Sequence, residues 1–228
     1  MTQRAQGRKL AILAADGFEQ IELTSPKEAI ENAGGETTIV SLKHGTIQAN
    51  KHREHGDTFK VDMTLDDAKA EDFDALLIPG GLFSPDTLRT NQKAKDFTSA
   101  FFKQMKPVFA ICHGPQLLIS ANLVNGREMT GYQAIQQDLK NAGARVLDQS
   151  VVVDSGLVTS RSPDDLGDFN AKKANMPNSA SPSPHKTDGV TPEGVKCAET
   201  PSALLRERAF LLRQDRHNFL LKQNNFFA

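Results

Sequence analysis

Short β-rich runs alternate with helical patterns along most of this chain, and this alternation limits the possible folds more than any other feature. The predicted strands span residues 9–15, 36–42, 75–78, 107–111, 150–154 and 157–160. Strands separated by helices favour a parallel sheet that is covered by helices. The segment Asp154-Ser155-Gly156 has the turn chemistry of a hairpin and joins the last two strands. We therefore predict an α/β fold on a mostly parallel sheet.

Several sequence signals predict where helices begin and end. Ser25-Pro26-Lys27-Glu28 is typical of a capping box with proline at the first helical position, and Gly34-Gly35 would end that helix. Similar signals predict helices over residues 91–105 and 132–142, and a helix start at residues 162–165. The polar segment 43–57 is predicted to form a solvated hairpin or loop.

Composition and charge favour small partners. The chain has 228 residues, 38% of them hydrophobic, enough for one large domain or for a domain with an appendage. Its 27 basic residues balance 28 acidic ones, so no global field attracts nucleic acid or an anionic membrane. No apolar stretch approaches membrane-spanning length and no secretory signal is evident, so we expect a cytoplasmic protein.

The composition changes after Lys172. The following segment is rich in Pro, Ser, Thr and Gly without periodicity, which is typical of a linker or disordered region. Residues 202–223 then carry apolar residues near helical spacing with arginines between them. We expect an amphipathic helix that lies on the core or in solution, with a membrane-binding or partner-binding helix as the alternative. The predicted organisation is an α/β domain over residues 1–171 and a tail over residues 172–228.

The segment PVFAICHGPQLLI, residues 107–119, places a thiol and an imidazole where a buried strand meets a helix. The small residues Ala110 and Gly114 flank Cys112 at the spacing of a nucleophile elbow, a sharp turn that presents its side chain. The following helix N-terminus is expected to lower the pKa of the thiol. The alternative is an inert buried cysteine beside a surface histidine.

Two further strand ends carry groups suited to such a site. LLIPGG, residues 76–81, ends in Gly80 and Gly81, whose backbone N–H groups could bind an oxyanion together with that of His113. The alternative is simply a tight loop. The segment AADGFEQIEL places Glu19 and Glu22 at the same sheet edge and on one helix face, although two such glutamates can also form a solvated first turn.

Four segments together carry a family resemblance: ADGFEQIELTSP, FDALLIPGG, KPVFAICHGPQLLISA and VVVDSGLVTSRSPDDLGDFN. Over about residues 8–171 the chain resembles the PfpI intracellular protease-like branch of the ThiJ/PfpI superfamily, which shares the class I glutamine amidotransferase-like fold and includes the Parkinsonism-associated deglycase. The resemblance implies a flavodoxin-like three-layer sandwich, a homodimer or homohexamer, and no cofactor. Members are described as glyoxalases, deglycases, chaperones or weak cysteine peptidases.

The resemblance also assigns roles to residues of this chain. It implies that Cys112 is the nucleophile, that Glu22 hydrogen-bonds its sulfur, and that His113 is its catalytic neighbour. The Gly81 and His113 amides resemble the oxyanion hole, and Tyr132 matches a pocket tyrosine. The acidic partner of the histidine, which the peptidase-like branch takes from a neighbouring subunit, aligns with Asp86 in FSPDTLR.

The chain departs from the family pattern at two places. It has Asp86 where some relatives have glutamate, with one extra residue in the loop after Gly81. Relatives finish soon after DLGDFN, whereas Lys172-Lys173 here leads into the tail. Our hypothesis is that the tail is either a lineage-specific extension or the product of a reading-frame change.

These features predict a cysteine-dependent enzyme that acts on small reactive dicarbonyls or on glycated substrates, without metal or glutathione. The alternatives are a cysteine peptidase and a non-enzymatic holdase chaperone or redox sensor, in which Cys112 oxidises to a sulfinic acid. A glutamine amidotransferase needs a His-x-Glu pair downstream of the cysteine, and the pair His52-Arg53-Glu54 lies upstream. With His44 and His55 nearby, His52 could be imagined as a metal ligand, yet no four-ligand set is evident.

Overall fold

The computed structural model of the protein describes residues 5–173, which contain twelve strands and six α-helices. The strands are Lys9–Leu13 (β1), Phe18–Glu19 (β2), Glu36–Ser41 (β3), Thr46–Lys51 (β4), Glu54–Lys60 (β5), Met63–Thr64 (β6), Ala75–Ile78 (β7), Val108–Ile111 (β8), Glu128–Met129 (β9), Arg145–Val146 (β10), Val151–Asp154 (β11) and Leu157–Ser160 (β12). The α-helices are Gln20–Asn32 (α1), Phe83–Thr90 (α2), Gln92–Lys103 (α3), Pro115–Ser120 (α4), Gln136–Asn141 (α5) and Leu166–Lys173 (α6). The predicted tail, residues 172–228, falls almost entirely outside the described residues.

A seven-stranded sheet forms the centre of the domain, in the order β11-β12-β8-β7-β1-β3-β6. All neighbouring strands in it are parallel except β11 and β12, which pair antiparallel as the predicted hairpin. The six predicted strands are confirmed, with ends displaced by no more than two residues. The parallel order brings the carboxyl ends of β1, β7 and β8 to one edge of the sheet.

Helices cover both faces of the sheet, and its strands are therefore buried on both sides. Along β1, Ala11 and Leu13 belong to one apolar cluster and Leu10 and Ile12 to the other. The first cluster includes side chains from α2, α3, α4 and α5, and the second includes side chains from α1 and α6. Continuous burial of this kind is typical of parallel strands between two helical layers. The predicted three-layer, flavodoxin-like α/β sandwich is therefore confirmed.

The predicted start of α1 is wrong. The helix begins at Gln20 instead of Ser25, and Pro26 lies inside it. The reason is a stripe of buried residues at Glu22, Pro26 and Ile30, four positions apart, which faces the sheet. Burial of this stripe outweighs the backbone hydrogen bond that Pro26 cannot donate. The predicted end is confirmed, since the last helical residue is Asn32 and Gly34 has a φ of 86°.

The sequence analysis missed α2, and its prediction of a solvated hairpin or loop for the polar insertion was only partly correct. Helix α2 begins two residues after Gly81, and the exposed side chains of Leu82 and Phe83 at its start hide the apolar periodicity of a surface helix. The insertion forms the antiparallel hairpin β4–β5, which pairs with β2. One of its faces is buried rather than solvated, because Ile47 and Ala49 are fully buried and Phe59 packs edge-to-face on Phe18 at 5.5 Å.

The remaining helical predictions hold with small changes. Helix α3 begins after Asn91, whose side chain accepts the N–H of Ala94, and a short 3-10 turn precedes α5. A 3-10 turn over Pro163–Asp165 leads into α6. Among residues 5–173, none of the helices has the length and apolar character needed to cross a membrane.

Candidate active site

Cys112 lies at the carboxyl end of β8, in a backbone conformation that ordinary residues rarely adopt. Its φ is 59°, in the left-handed region, so the turn carries strain that its surroundings must hold in place. The N–H of Cys112 donates to the Ser160 carbonyl at 3.0 Å, and its own carbonyl accepts the N–H of Tyr132 at 2.9 Å. Strand β12 and the loop before α5 therefore fix the strained residue from both sides.

Close packing under the turn requires a glycine two residues after the cysteine. A Cβ atom at Gly114 would lie 2.5 Å from the carbonyl oxygen of Ile78 and 3.0 Å from that of Ile111. The strand-to-helix turn, with Gly114 as its second small residue, thus forms as predicted. The turn does not leave the thiol fully open, since only 7% of Cys112 is exposed.

Glu22 meets the cysteine from the first turn of α1. Its side chain is fully buried, its Oε2 accepts the Gly80 N–H at 2.7 Å, and its carboxyl is a hydrogen-bonding neighbour of the Cys112 side chain. Among the described residues, Oε1 has no N–H or O–H partner. Burial raises the pKa of Glu22 to about 8, although the Gly80 and Cys112 hydrogen bonds work against this effect. The carboxyl therefore holds its proton at neutral pH.

The expectation of a lowered cysteine pKa is wrong. Burial raises the pKa of Cys112 well above its ordinary value, and a charged Glu22 raises it further. The N–H groups of Gly81 and His113 donate to the sulfur and work in the opposite direction. The helix terminus was expected to dominate, but α4 has only six residues and desolvation of a buried thiolate costs more.

The two acids are coupled through their hydrogen bond. The sulfur receives two N–H groups, Oε2 of Glu22 receives one and Oε1 receives none. Because a charge on Glu22 raises the pKa of Cys112, the pair loses its two protons in separate steps. A proton on Glu22 can hydrogen-bond the sulfur.

The predicted role of Gly80 needs correction. Its N–H is taken by Glu22, so it is not a free donor for an oxyanion. A glycine is needed here for space, because a Cβ atom would lie 2.7 Å from Glu22 Oε2 and 2.8 Å from the His113 nitrogen. The candidate oxyanion donors are therefore Gly81 and His113, whose N–H groups already point at the sulfur.

His113 lies beside the sulfur as a neutral ring. Its Nδ1 is 3.2 Å from the Cys112 Sγ, and burial lowers the pKa of the imidazole. Tyr132 stacks on the imidazole, with ring centroids 4.8 Å apart and an interplanar angle of 29°. Tyr132 therefore orients His113 with its ring and supports Cys112 with its backbone. This double contact depends on a loop position that the sequence analysis could not place, whereas the support from Ser160 follows from the pairing of β12 with β8.

Asp86 is the one predicted site residue that the fold does not bring to the others. It is exposed in the first turn of α2, and among residues 5–173 no hydrogen bond or ion pair joins it to His113. Its predicted role across a subunit boundary stays a prediction. The part of the chain that the structure describes also contains no group of three or more His, Cys, Asp or Glu side chains arranged to hold a metal ion.

The fold and the site define a class: a flavodoxin-like sandwich with a buried cysteine on a strand-to-helix elbow and a carboxyl held against its sulfur. The sequence profile of the DJ-1/PfpI family matches residues 8–176, and the chain belongs to that family. This family includes enzymes with a cysteine nucleophile.

Individual relatives agree with the family assignment. A Bacillus subtilis protein named "Putative cysteine protease YraA" is 49% identical over 169 residues, which cover 74% of this chain and 98% of that protein. A two-domain Anabaena variabilis protein with DJ-1/ThiJ/PfpI-like and ferritin-like domains is 34% identical, with a TM-score of 0.70 over 78% of this chain and 52% of that one. Schizosaccharomyces pombe DJ-1 is 25% identical, with a TM-score of 0.66 over 72% of this chain and 89% of that one.

Proposed function

We propose that this chain is a cysteine-dependent stress-protection enzyme that converts small reactive dicarbonyls to hydroxy acids without glutathione, or removes their early adducts from amines as a deglycase. The observation that carries the proposal is the Cys112–Glu22 pair. A fully buried carboxyl whose pKa is raised to about 8 can both give and take a proton at the sulfur. Dicarbonyl isomerisation requires such a group, because a proton must move between two adjacent carbons.

The first step is attack of the Cys112 thiolate on the aldehyde carbon of methylglyoxal. A C–S bond forms, the C=O π bond breaks, and the oxygen gains a proton to give a hemithioacetal. The N–H groups of Gly81 and His113, which already point at the sulfur, are placed to stabilise the developing alkoxide. These donors are fixed by the β7 and β8 ends, so they need no rearrangement.

The second step moves a proton within the bound substrate. Glu22, as its carboxylate, removes the proton from the former aldehyde carbon, and the neighbouring carbonyl oxygen is protonated to give an enediol. Glu22 then takes the proton from the hydroxyl on the first carbon and delivers a proton to the second carbon, which produces a lactate thioester. Water then cleaves the C–S bond, which frees the Cys112 thiol and lactate, or glycolate when the substrate is glyoxal.

A cysteine peptidase is the second candidate, favoured by the name of the Bacillus subtilis relative. A peptidase needs His113 to protonate a leaving amine, and an imidazolium–thiolate pair is the usual starting state. Burial lowers the pKa of His113, and Asp86, the predicted acidic partner, is exposed on α2. Within one chain these observations favour the dicarbonyl reaction over amide hydrolysis.

The assembly is proposed as a homodimer or homohexamer. Leu82 and Phe83 are each 63% exposed, and they lie just before Asp86 on α2. An apolar surface beside an exposed carboxyl would suit contact between copies, with Asp86 of one copy serving His113 of another. Light scattering of the full chain, with Phe83→Glu as the disrupting variant, tests this assembly.

The decisive experiment measures lactate formed from methylglyoxal in the absence of glutathione. We expect lactate from the wild-type chain, none above background from Cys112→Ala, and wild-type rates from Met105→Ala, whose side chain is 84% exposed. The same three proteins are assayed with fluorogenic peptides and with an aggregation-prone client. Peptide cleavage without lactate would establish the peptidase instead, and client protection that survives Cys112→Ala would favour a non-enzymatic holdase.

A further inference from the structure

A second carboxyl, Glu19, is buried beside the site and is not used by the proposed reaction. It ends β2, is only 8% exposed, and its Oε2 accepts the backbone N–H of His52 at 2.9 Å. His52 occupies the tip of the β4–β5 hairpin with a φ of 59°. Within residues 5–173, no ion pair reaches Glu19.

The charged groups around Glu19 do not neutralise it. Its carboxyl lines a groove of about 460 Å³ whose other titratable residues are Lys51, His52 and Asp164. Lys51 is exposed and lies 3.6 Å from Asp57, so its charge is already paired at the surface. Asp164 is exposed and negative, which adds to the field of Glu19 instead of cancelling it.

Glu22 lies one helical turn further along the chain. It faces the Cys112 thiol at the end of β8, and the adjacent His113 ring is held neutral by burial. Both residues flank Gly80, whose carbonyl oxygen accepts the Glu19 N–H at 3.2 Å and whose N–H donates to Glu22 at 2.7 Å. Like charges this close in the fold repel each other, and the charge of Glu19 raises the pKa of Glu22. Glu19 lines the groove, whereas Glu22 has no exposed surface.

We propose that Glu19 is a positioning residue that controls the protonation of the Cys112–Glu22 pair: its carboxylate, fixed by the hairpin tip, holds protons on the pair and so sets the pH at which the thiol becomes reactive. The inference rests on the proposed pairing of Cys112 with Glu22, but it does not depend on any particular substrate. It gives the β4–β5 hairpin a function in the site.

The test compares the pH dependence of Cys112 alkylation by iodoacetamide in the full chain. Mass spectrometry of the peptide that contains Cys112 keeps Cys197 out of the measurement. Glu19→Gln removes the charge and retains an oxygen that can accept the His52 N–H. We expect the rising limb of its pH profile to move to lower pH by roughly half a unit to one unit, because Glu22 loses a repulsive neighbour and the pair releases its first proton more easily.

Two further variants separate charge from structure. Glu19→Asp retains the charge and should keep the wild-type midpoint, and Asp164→Asn removes an exposed charge from the same groove and should move the midpoint much less. A Glu19→Gln profile that is displaced no further than that of Asp164→Asn overturns the proposal. A rate reduced equally at every pH, with an unmoved midpoint, also overturns it, since that result indicates a structural role. Absence of lactate formation would reject the proposed reaction and leave this alkylation result interpretable.

Discussion

Two segments contact the first turn of α1, and they hold it by different physical means. The elbow after β8 is almost dry: Cys112 and Gly114 are buried, and the backbone hydrogen bonds of Cys112 go to protein groups. The β4–β5 hairpin is mostly exposed and fixes Gln20 through polar contacts to Asp57. The comparison teaches that burial at the elbow sets the proton affinities of the site, while the exposed hydrogen bonds of the hairpin support its geometry. Changes at the elbow should therefore have larger effects than changes at the hairpin.

The largest effect is expected when the buried carboxyl beside the elbow loses its ability to transfer a proton. Glu22→Gln preserves the size of the side chain but cannot transfer a proton, so we expect lactate formation to fall by about 10²- to 10⁴-fold. Steady-state kinetics with methylglyoxal measures the effect. Glu28→Gln is the matched control, since Glu28 is exposed on the same helix. Equal losses in both variants would contradict the special role of the buried carboxyl.

Burial of Glu22 should also make stability depend on pH. Its pKa is about 8 in the folded chain and 4.5 when unperturbed, so between these values the folded state holds a proton that the unfolded state has lost. The free energy of unfolding should therefore fall as pH rises through this window, by on the order of 5 kcal/mol in total.

Urea unfolding of wild type and Glu22→Gln between pH 5 and pH 9 measures this contribution. The variant lacks the titrating group, so its stability should fall less steeply over the same range. The two curves share every other titration, and their difference isolates Glu22. Parallel curves would show that Glu22 is ionised in the folded protein.

Steric change at the elbow should destabilise the whole domain. Gly114→Ala places a Cβ atom 2.5 Å from the Ile78 carbonyl oxygen, which forces β7 or the turn to shift. We expect a loss of about 3 kcal/mol in the free energy of unfolding, measured by urea denaturation. Gly167→Ala is the control, because nothing lies within 4 Å of a Cβ atom there and alanine favours the helix. A stable Gly114→Ala variant would show that the elbow tolerates displacement.

The smallest effect is expected at the hairpin. Gln20→Ala removes the hydrogen bonds that its amide makes with the Asp57 carboxylate at 2.6 Å and the Asp57 N–H at 2.8 Å. We expect a loss of about 1 kcal/mol, together with faster amide exchange in residues 46–60 and unchanged exchange in β8. Gln137→Ala removes one exposed contact within α5 and should cost less. A destabilisation as large as that of Gly114→Ala would contradict the difference between the two segments.

Much of the site could be predicted because its signals are local. Ala110, Cys112 and Gly114 lie within five residues, so the elbow can be recognised from spacing alone. The strands could be found for the same reason, since continuous apolar runs define them. The start of α1 could not, because the local signal at Ser25 and Pro26 was overridden by burial of Glu22 against the sheet. Intrinsic helix signals are weak compared with tertiary burial.

The predicted direction of the Cys112 pKa shift was wrong for a related reason. A helix N-terminus can be recognised in the sequence, but the exclusion of solvent from the site cannot. Desolvation depends on how β8, β7 and α1 close around the sulfur, and these elements come from distant parts of the chain. The same holds for Gly80, whose N–H found a partner 58 residues away in Glu22.

The sequence by itself determined the sandwich, the sheet edge that carries the site, and the positions of the cysteine and of the carboxyl that meets it. Periodicity and turn chemistry are local properties, so they can be recognised in the amino-acid sequence alone. Only the tertiary structure decided which carboxyl is dry, which amide faces the sulfur, and how the hairpin reaches Glu19. Those outcomes depend on solvent exclusion and charge separation, which exist only when distant segments are packed together.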